Sequence, residues 1–347
     1  MNERLIELAL AGVMLMVLIL PFSVKYVEEE LEIFFFVMGT IAVSISGLWS
    51  HELLIEALRE PLMISVAVLL AGLAFRSVRE RIHGWIQAGV RRFGHRVVLM
   101  LVVAGLGLLS SVITAIIAAL VLAEVMTALK LPRSVEVKVV VLACFSIGLG
   151  AVLTPLGEPL ATLAVATLRG EPHHADFWFL ARMLGAWILP LVLGLGIWAG
   201  LLKGEDNESA NTLSEDRPEG MKDVFKRAGK IYLFVMALVF LGHGFRPVVD
   251  RYLVTASPLL LYWINMISAI LDNATLTAAE ISPMMDAAHI RDLLLGLLIS
   301  GGMLIPGNIP NIISAGKLGI KSKEWARFGF PVGLVIMGGV FVLLLVV

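Results

Sequence analysis

The residues of this sequence best suited to chemistry are a few polar groups set inside long apolar stretches. Asp272 stands beside Asn273, Thr275 and Thr277, and the stretch from Tyr252 to Met285 carries no lysine or arginine. An aspartate at the centre of a membrane helix costs about 2.5–3.5 kcal/mol on insertion scales, so it faces a cavity or a partner. A lone carboxylate of this kind suits cation coordination or proton exchange; the plainer reading is a neutral Asp held at a helix cap. Glu158 lies inside Thr154-Pro155-Leu156-Gly157-Glu158-Pro159, and Asn308 and Asn311 lie inside Pro306-Gly307-Asn308-Ile309-Pro310-Asn311. Both segments share a P-x-x-x-P spacing. Prolines four apart prevent continuous helical hydrogen bonding, and glycine permits backbone that a helix does not use. Carbonyls freed at such a break suit Na⁺, and the helix N-termini it creates favour anions.

The elements that carry these residues are set by composition. The chain has 347 residues, of which 59% are hydrophobic and 16% charged, against about 25% charged in a soluble domain; its mean hydropathy is +0.91. Apolar runs long enough to span about 30 Å of hydrocarbon predict an all-α integral membrane protein, because unpaired backbone is not tolerated in lipid. A net charge of −1 excludes a generally basic, nucleic-acid-binding chain, and the one cysteine, Cys144, excludes a disulfide or a cysteine-based metal site within one chain. The motifs H-E-x-x-H and G-x-S-x-G are absent, so an enzyme is not expected, nor is a cofactor.

Reading apolar runs between charged clusters predicts about eight transmembrane helices. Residues 1–60 hold two of them, Leu5–Val24 and Leu31–Trp49; Pro61–Phe75 follows. The basic stretch 76–96 then reads as a cytoplasmic loop. Val97–Leu129 is too short for two crossings and carries Ser110, Ser111 and Thr114 at its middle, which predicts a re-entrant hairpin with those hydroxyls at its tip. A broken helix over 139–168 and a crossing from Phe177 to Leu202 complete a first repeat, 61–202. The stretch 203–230 is too polar to insert and reads as a cytoplasmic linker. The second repeat, 231–347, holds a crossing from Ile231 to Leu241, a hairpin at 252–285, a broken helix at 293–315 and a last crossing from Phe328. The basic stretches 130–138 and 317–327 are expected on the cytoplasmic side of the plasma (inner) membrane. Counting crossings between these charges gives the two repeats opposite orientation, the pattern of an inverted-repeat secondary transporter. An offset of 163 positions lays Ser110 on Asn273 and Thr114-Ala115 on Thr277-Ala278.

The pairing of Ser268–Ala278 (SAILDNATLTA) with Gly301–Asn311 (GGMLIPGNIPN) resembles the ion-transporter superfamily. That group includes NhaD-type sodium–proton antiporters, arsenite-efflux permeases and divalent-anion–sodium symporters; the closest likeness is to its short members described as cation transporters, over about residues 97–347. The resemblance implies that two hairpin tips and two helix breaks build the site: Ser110, Ser111 and Thr114; Asp272, Asn273 and Thr275; Thr154, Gly157 and Glu158; Gly307, Asn308 and Asn311. It also implies a homodimer that moves its hairpin-bearing unit like an elevator. The first tip lacks the Ser-Asn-Thr of the dicarboxylate branch, and Glu158 replaces an uncharged residue of many relatives. The expected function is therefore Na⁺/H⁺ (cation/proton) antiport, with Asp272, Asn273, Asn308 and Glu158 holding Na⁺. The alternative is a Na⁺-coupled transporter of a small organic or inorganic anion. Glu124 and Glu280 are weaker candidates for coupling. His173-His174 with Glu171 and Asp176 reads as a solvated loop, and Cys144 as a small core residue.

Overall fold

The computed structural model describes residues 3–202, 221–252, 258–271 and 273–346. Among the described residues there is no strand. The α-helices run in the order α1 (Glu3–Ser23), α2 (Lys25–Glu29), α3 (Leu31–Ser46), α4 (His51–Ile113), α5 (Ala115–Leu129), α6 (Arg133–Ala151), α7 (Pro159–Thr167), α8 (Phe179–Leu201), α9 (Met221–Tyr252), α10 (Pro258–Ile264), α11 (Asn273–Glu280), α12 (Ala287–Gly301), α13 (Ile309–Leu318) and α14 (Ser322–Leu344). Two short 3-10 turns, Asn265–Ala269 and Ile305–Gly307, interrupt the second half.

Among the described residues, six segments are long and apolar enough to cross a membrane: Arg4–Pro21, Gly84–Ile113, Arg133–Ala151, Phe179–Leu201, Ala228–Val248 and Ser322–Leu344. The protein is therefore an all-α, multi-pass membrane protein. The sequence predicts about eight crossings, and the described residues supply six; α3, one of the expected crossings, has only 16 residues, fewer than the roughly 20 a hydrocarbon core requires. Burial separates inner from outer helices. Arg133–Ala151 is 89% buried within the protein and Arg4–Pro21 only 22%. A helix apolar on every side belongs in an interior, and α6 takes that place with α12. The outer helices turn Leu8, Leu193, Ile197, Val335 and Val342 outward, as lipid contact requires.

The basic stretch 76–96, expected as a loop, is helical. Helix α4 runs from His51 to Ile113 and leaves helical geometry only at Gly94, where φ is +79°. No proline occurs between Pro61 and Pro132, and the Arg, Glu, Gln, Ala and Ile of this stretch are acceptable helix formers, so the helix continues until Gly94 takes a conformation other residues avoid. One helix thus crosses the expected boundary at residue 60. The expected loops 130–138 and 317–327 shrink in the same way to residues 130–132 and 319–321, which keep Lys130 and Lys321 while the other charged residues join helix ends. Of the expected linker 203–230, residues 221–230 open α9, and 203–220 lie outside the described residues.

Candidate functional site

The first expected tip is a single residue. Thr114 separates α4 from α5 with φ +74° and ψ 149°. A β-branched residue at positive φ is an outlier, with a cost on the order of 1–3 kcal/mol, so surrounding contacts must hold it. They come from the break that follows α6, residues 152–158. Ala115 N donates to Gly157 O at 2.8 Å, and Thr154 Oγ1 donates to Ser111 O. One turn back, Ser110 Oγ donates to Ile147 O at 2.9 Å and to Gly107 O at 2.6 Å. Ser111 Oγ bonds within its own helix, to Leu108 O. The break closes on itself through Gly157 N→Thr154 O (3.2 Å) and Thr162 Oγ1→Pro155 O (2.6 Å). Glu158 is buried at the N-cap of α7 and makes no side-chain capping bond.

The second expected tip follows the turn Asn265–Ala269. Asp272 lies outside the described residues, as does the side chain of Thr275. Asn273, 3% exposed, opens α11. Its Oδ1 accepts from Ser268 Oγ, and its amide lies against Gly301, 2.5 Å from where a Cβ would stand. Ser268 Oγ also donates to Leu297 O at 3.1 Å. The break 302–308 is braced by Asn311, whose Nδ2 donates to Gly301 O and Leu304 O, each at 2.8 Å. Asn308 is buried at the N-cap of α13, and its amide rests against Gly148 of α6, 2.6 Å from a Cβ there. The second break therefore touches the helix that leads into the first. Cys144 packs beside it, its Sγ 3.4 Å from Ser314 Oγ.

The two halves repeat these bonds at constant offsets. Ser110→Ile147 O answers to Ser268→Leu297 O. Leu153 N→Gly150 O answers to Met303 N→Ser300 O, and Gly157 N→Thr154 O to Gly307 N→Leu304 O. Gly157 crowds the carbonyl of Ala151 as Gly307 crowds that of Gly301. The offset is 158 at the tips (Ser110 to Ser268) and 150 in the broken helices (Gly157 to Gly307). The offset of 163 suggested by the sequence is thus replaced, because short Ser/Thr/Ala matches are degenerate and a serine is better defined by the carbonyl it reaches. The P-x-x-x-P register shifts by one position for the same reason. Thr114 now aligns with Asp272 in sequence, and Glu158 with Asn308.

The distal helices cross between halves: α5 packs on α13, and α11 on α7. Across the first of these contacts Lys317 pairs with Glu124, their side chains 6% and 10% exposed. Arg133 bonds Glu324 at 2.7 and 3.1 Å, Leu318 O at 3.2 Å and Gly319 O at 3.0 Å, tying α6 to the α13–α14 turn. Sequence reading missed Lys317 and Arg133, counting both as loop charges. It also missed Asn265, Thr162 and Ser300; Ser268 was legible as the first residue of its motif. In the loop after α7, His173 Nε2 meets Met285 O at 2.8 Å, and Arg182's hydrogen bond holds Asp176 below the usual carboxylate range. No group of three His, Cys, Asp or Glu side chains placed to hold a metal ion occurs among the described residues.

Crossing helices packed on two unwound breaks, the second buried and the first exposed at Leu156, define a polytopic α-helical membrane protein with polar groups gathered in its interior. The chain belongs to the family described as protein of unknown function (DUF1646), whose model matches residues 7–347. No curated protein matches it.

Proposed function

We propose that this protein is a secondary active ion transporter that exchanges Na⁺, or a similar cation, for protons. The observation that carries the reading is the matched bonding of two tips to two helix breaks, with the distal helices exchanged between halves. Unwound backbone at membrane depth is kept where it lines a cavity or is packed in protein, and paired breaks in related halves are the usual binding elements of secondary transporters. In this reading the halves are inverted repeats, Val97–Leu129 and 252–285 are re-entrant hairpins, and a homodimer in the plasma membrane moves them by an elevator motion with the basic stretches cytoplasmic. The acidic residues Asp272 and Glu158, with Asn273 and Asn308, favour a cation.

The test uses proteoliposomes with a trapped pH dye. Addition of Na⁺ or Li⁺ outside is expected to alkalinise the lumen by driving protons out in exchange, and Asp272→Asn is expected to abolish that response. Absence of any proton movement with Na⁺, Li⁺ or K⁺ would overturn the antiport reading. One observation favours a second reading: α5, α7, α11 and α13 all begin at a tip or a break, and helix N-termini attract anions. A Na⁺-coupled anion transporter requires the anion for Na⁺ flux, so Na⁺ movement in its absence decides between them.

A further inference from the structure

The second hairpin carries more buried polar atoms than its contacts use. Asn273, Thr277 and Glu280 recur on α11 at i, i+4 and i+7, which sets them on one face, and they are 3%, 1% and 2% exposed. That face meets the turn Asn265–Ala269, where Asn265 is fully buried. Asn265 Nδ2 donates to Glu280 Oε2 at 3.0 Å. The remaining oxygens, Asn265 Oδ1, Glu280 Oε1 and Thr277 Oγ1, make no hydrogen bond, and nearer the tip the Asn273 amide nitrogen makes none either. Buried polar atoms are otherwise almost always bonded, so three such oxygens on one patch call for a bound group.

Charge narrows what that group is. No cation reaches Glu280 among the described residues. On the helices packed against α11, Lys230 pairs with Glu30 and Glu32, His243 with Glu56, Arg251 with Glu7, and Arg291 with Asp292; Glu158, at the start of α7, adds no positive charge. A lone buried carboxylate either takes up a proton or is met by a compensating charge, and the unbonded oxygens around this one give a cation its ligands. One carboxylate and neutral oxygens balance a single positive charge, whereas a divalent ion would leave an excess. Hard oxygen donors suit an alkali cation. Glu124 in the other hairpin differs, because Lys317 already neutralises it.

We propose that Glu280, Thr277 and Asn265 form a monovalent-cation site of Na⁺ class, about 10 Å along α11 from Asn273 at the tip. The site rests on the transporter reading and gives it a second position for the transported or coupling ion.

Calorimetric titration of the purified full-length protein with NaCl, against choline chloride as blank, tests the site. Wild type is expected to bind Na⁺, Glu280→Gln to lose at least about tenfold in affinity, and Thr277→Val, which removes one oxygen while keeping the shape, to lose about threefold. Size-exclusion profiles and thermal unfolding accompany each variant. A packing role alone predicts that Thr277→Val keeps wild-type affinity and gains stability. Wild-type affinity in both variants, or no Na⁺ binding by wild type, overturns the site. Liposome assays separate this from the parent reading. If wild type and both variants exchange Na⁺ for protons equally, the site falls and the antiporter stands. If Na⁺ binding depends on Glu280 while wild type moves no protons, the site stands and antiport falls.

Discussion

The two halves form similar backbone breaks and secure them with chemistry that is only partly shared. Around the first, hydroxyls do the holding: Ser110, Thr154 and Thr162 each donate to a carbonyl. Around the second, Ser268 and Ser300 donate to carbonyls in the same way, and amides are added, with Asn311 satisfying two carbonyls and Asn265 bonding Glu280. The distal helices differ in charge. Glu124 on α5 is neutralised by a buried lysine, and Glu280 on α11 meets an amide. Shared backbone with unshared charge separates what builds the break from what a site there could bind. Hydrogen bonds to carbonyls maintain the unwound segments in both halves, while an uncompensated carboxyl is present in one distal helix and absent from the other.

The sharpest way to break this contrast is to remove one charge from each half. Lys317→Met leaves Glu124 buried and unpaired and is expected to cost about 3–5 kcal/mol, read as earlier thermal unfolding in detergent. Glu280→Gln keeps the bond from Asn265 and is expected to leave stability unchanged or raised. Adding Glu124→Leu to Lys317→Met should recover most of the loss, because apolar replacement of a buried pair is often neutral. Equal losses at the two carboxylates would erase the distinction.

The glycines test the register. A methyl on Gly157 would meet the Ala151 carbonyl, and one on Gly307 would stand 2.6 Å from the Gly301 carbonyl. Both obstacles are backbone, so Gly157→Ala and Gly307→Ala should each cost roughly 3 kcal/mol by overpacking. A mild effect at either would break the equivalence of the two breaks. Asn311→Ala leaves two buried carbonyls short of a donor and should cost about 2 kcal/mol, against about 1 kcal/mol for Thr154→Val. The smallest effect is expected at Thr114, where glycine relieves the positive φ and should stabilise by roughly 1 kcal/mol or less.

Much of the fold was legible in the sequence because it follows from local composition. Runs of apolar residues specify membrane helices through the cost of exposed backbone. The breaks at 152–158 and 302–308 and the tip at Thr114 were legible because Pro, Gly and small hydroxyl residues act on the residues beside them. Boundaries were less so: the long α4 absorbed a basic stretch that charge alone had marked as a loop, since arginines do not end a helix.

The sequence by itself therefore determined that the chain is apolar and helical and where two of its helices must break. Only the tertiary structure decided which polar groups meet. Ser110 and Ile147 lie 37 residues apart, and Lys317 and Glu124 lie 193 apart. Hydropathy and spacing report on a residue and its near neighbours, whereas hydrogen-bond partners and ion pairs are chosen by the packing of distant helices. That is why the matching bonds of the two halves, the crossed distal helices and the contrast between Glu124 and Glu280 emerged only with the fold.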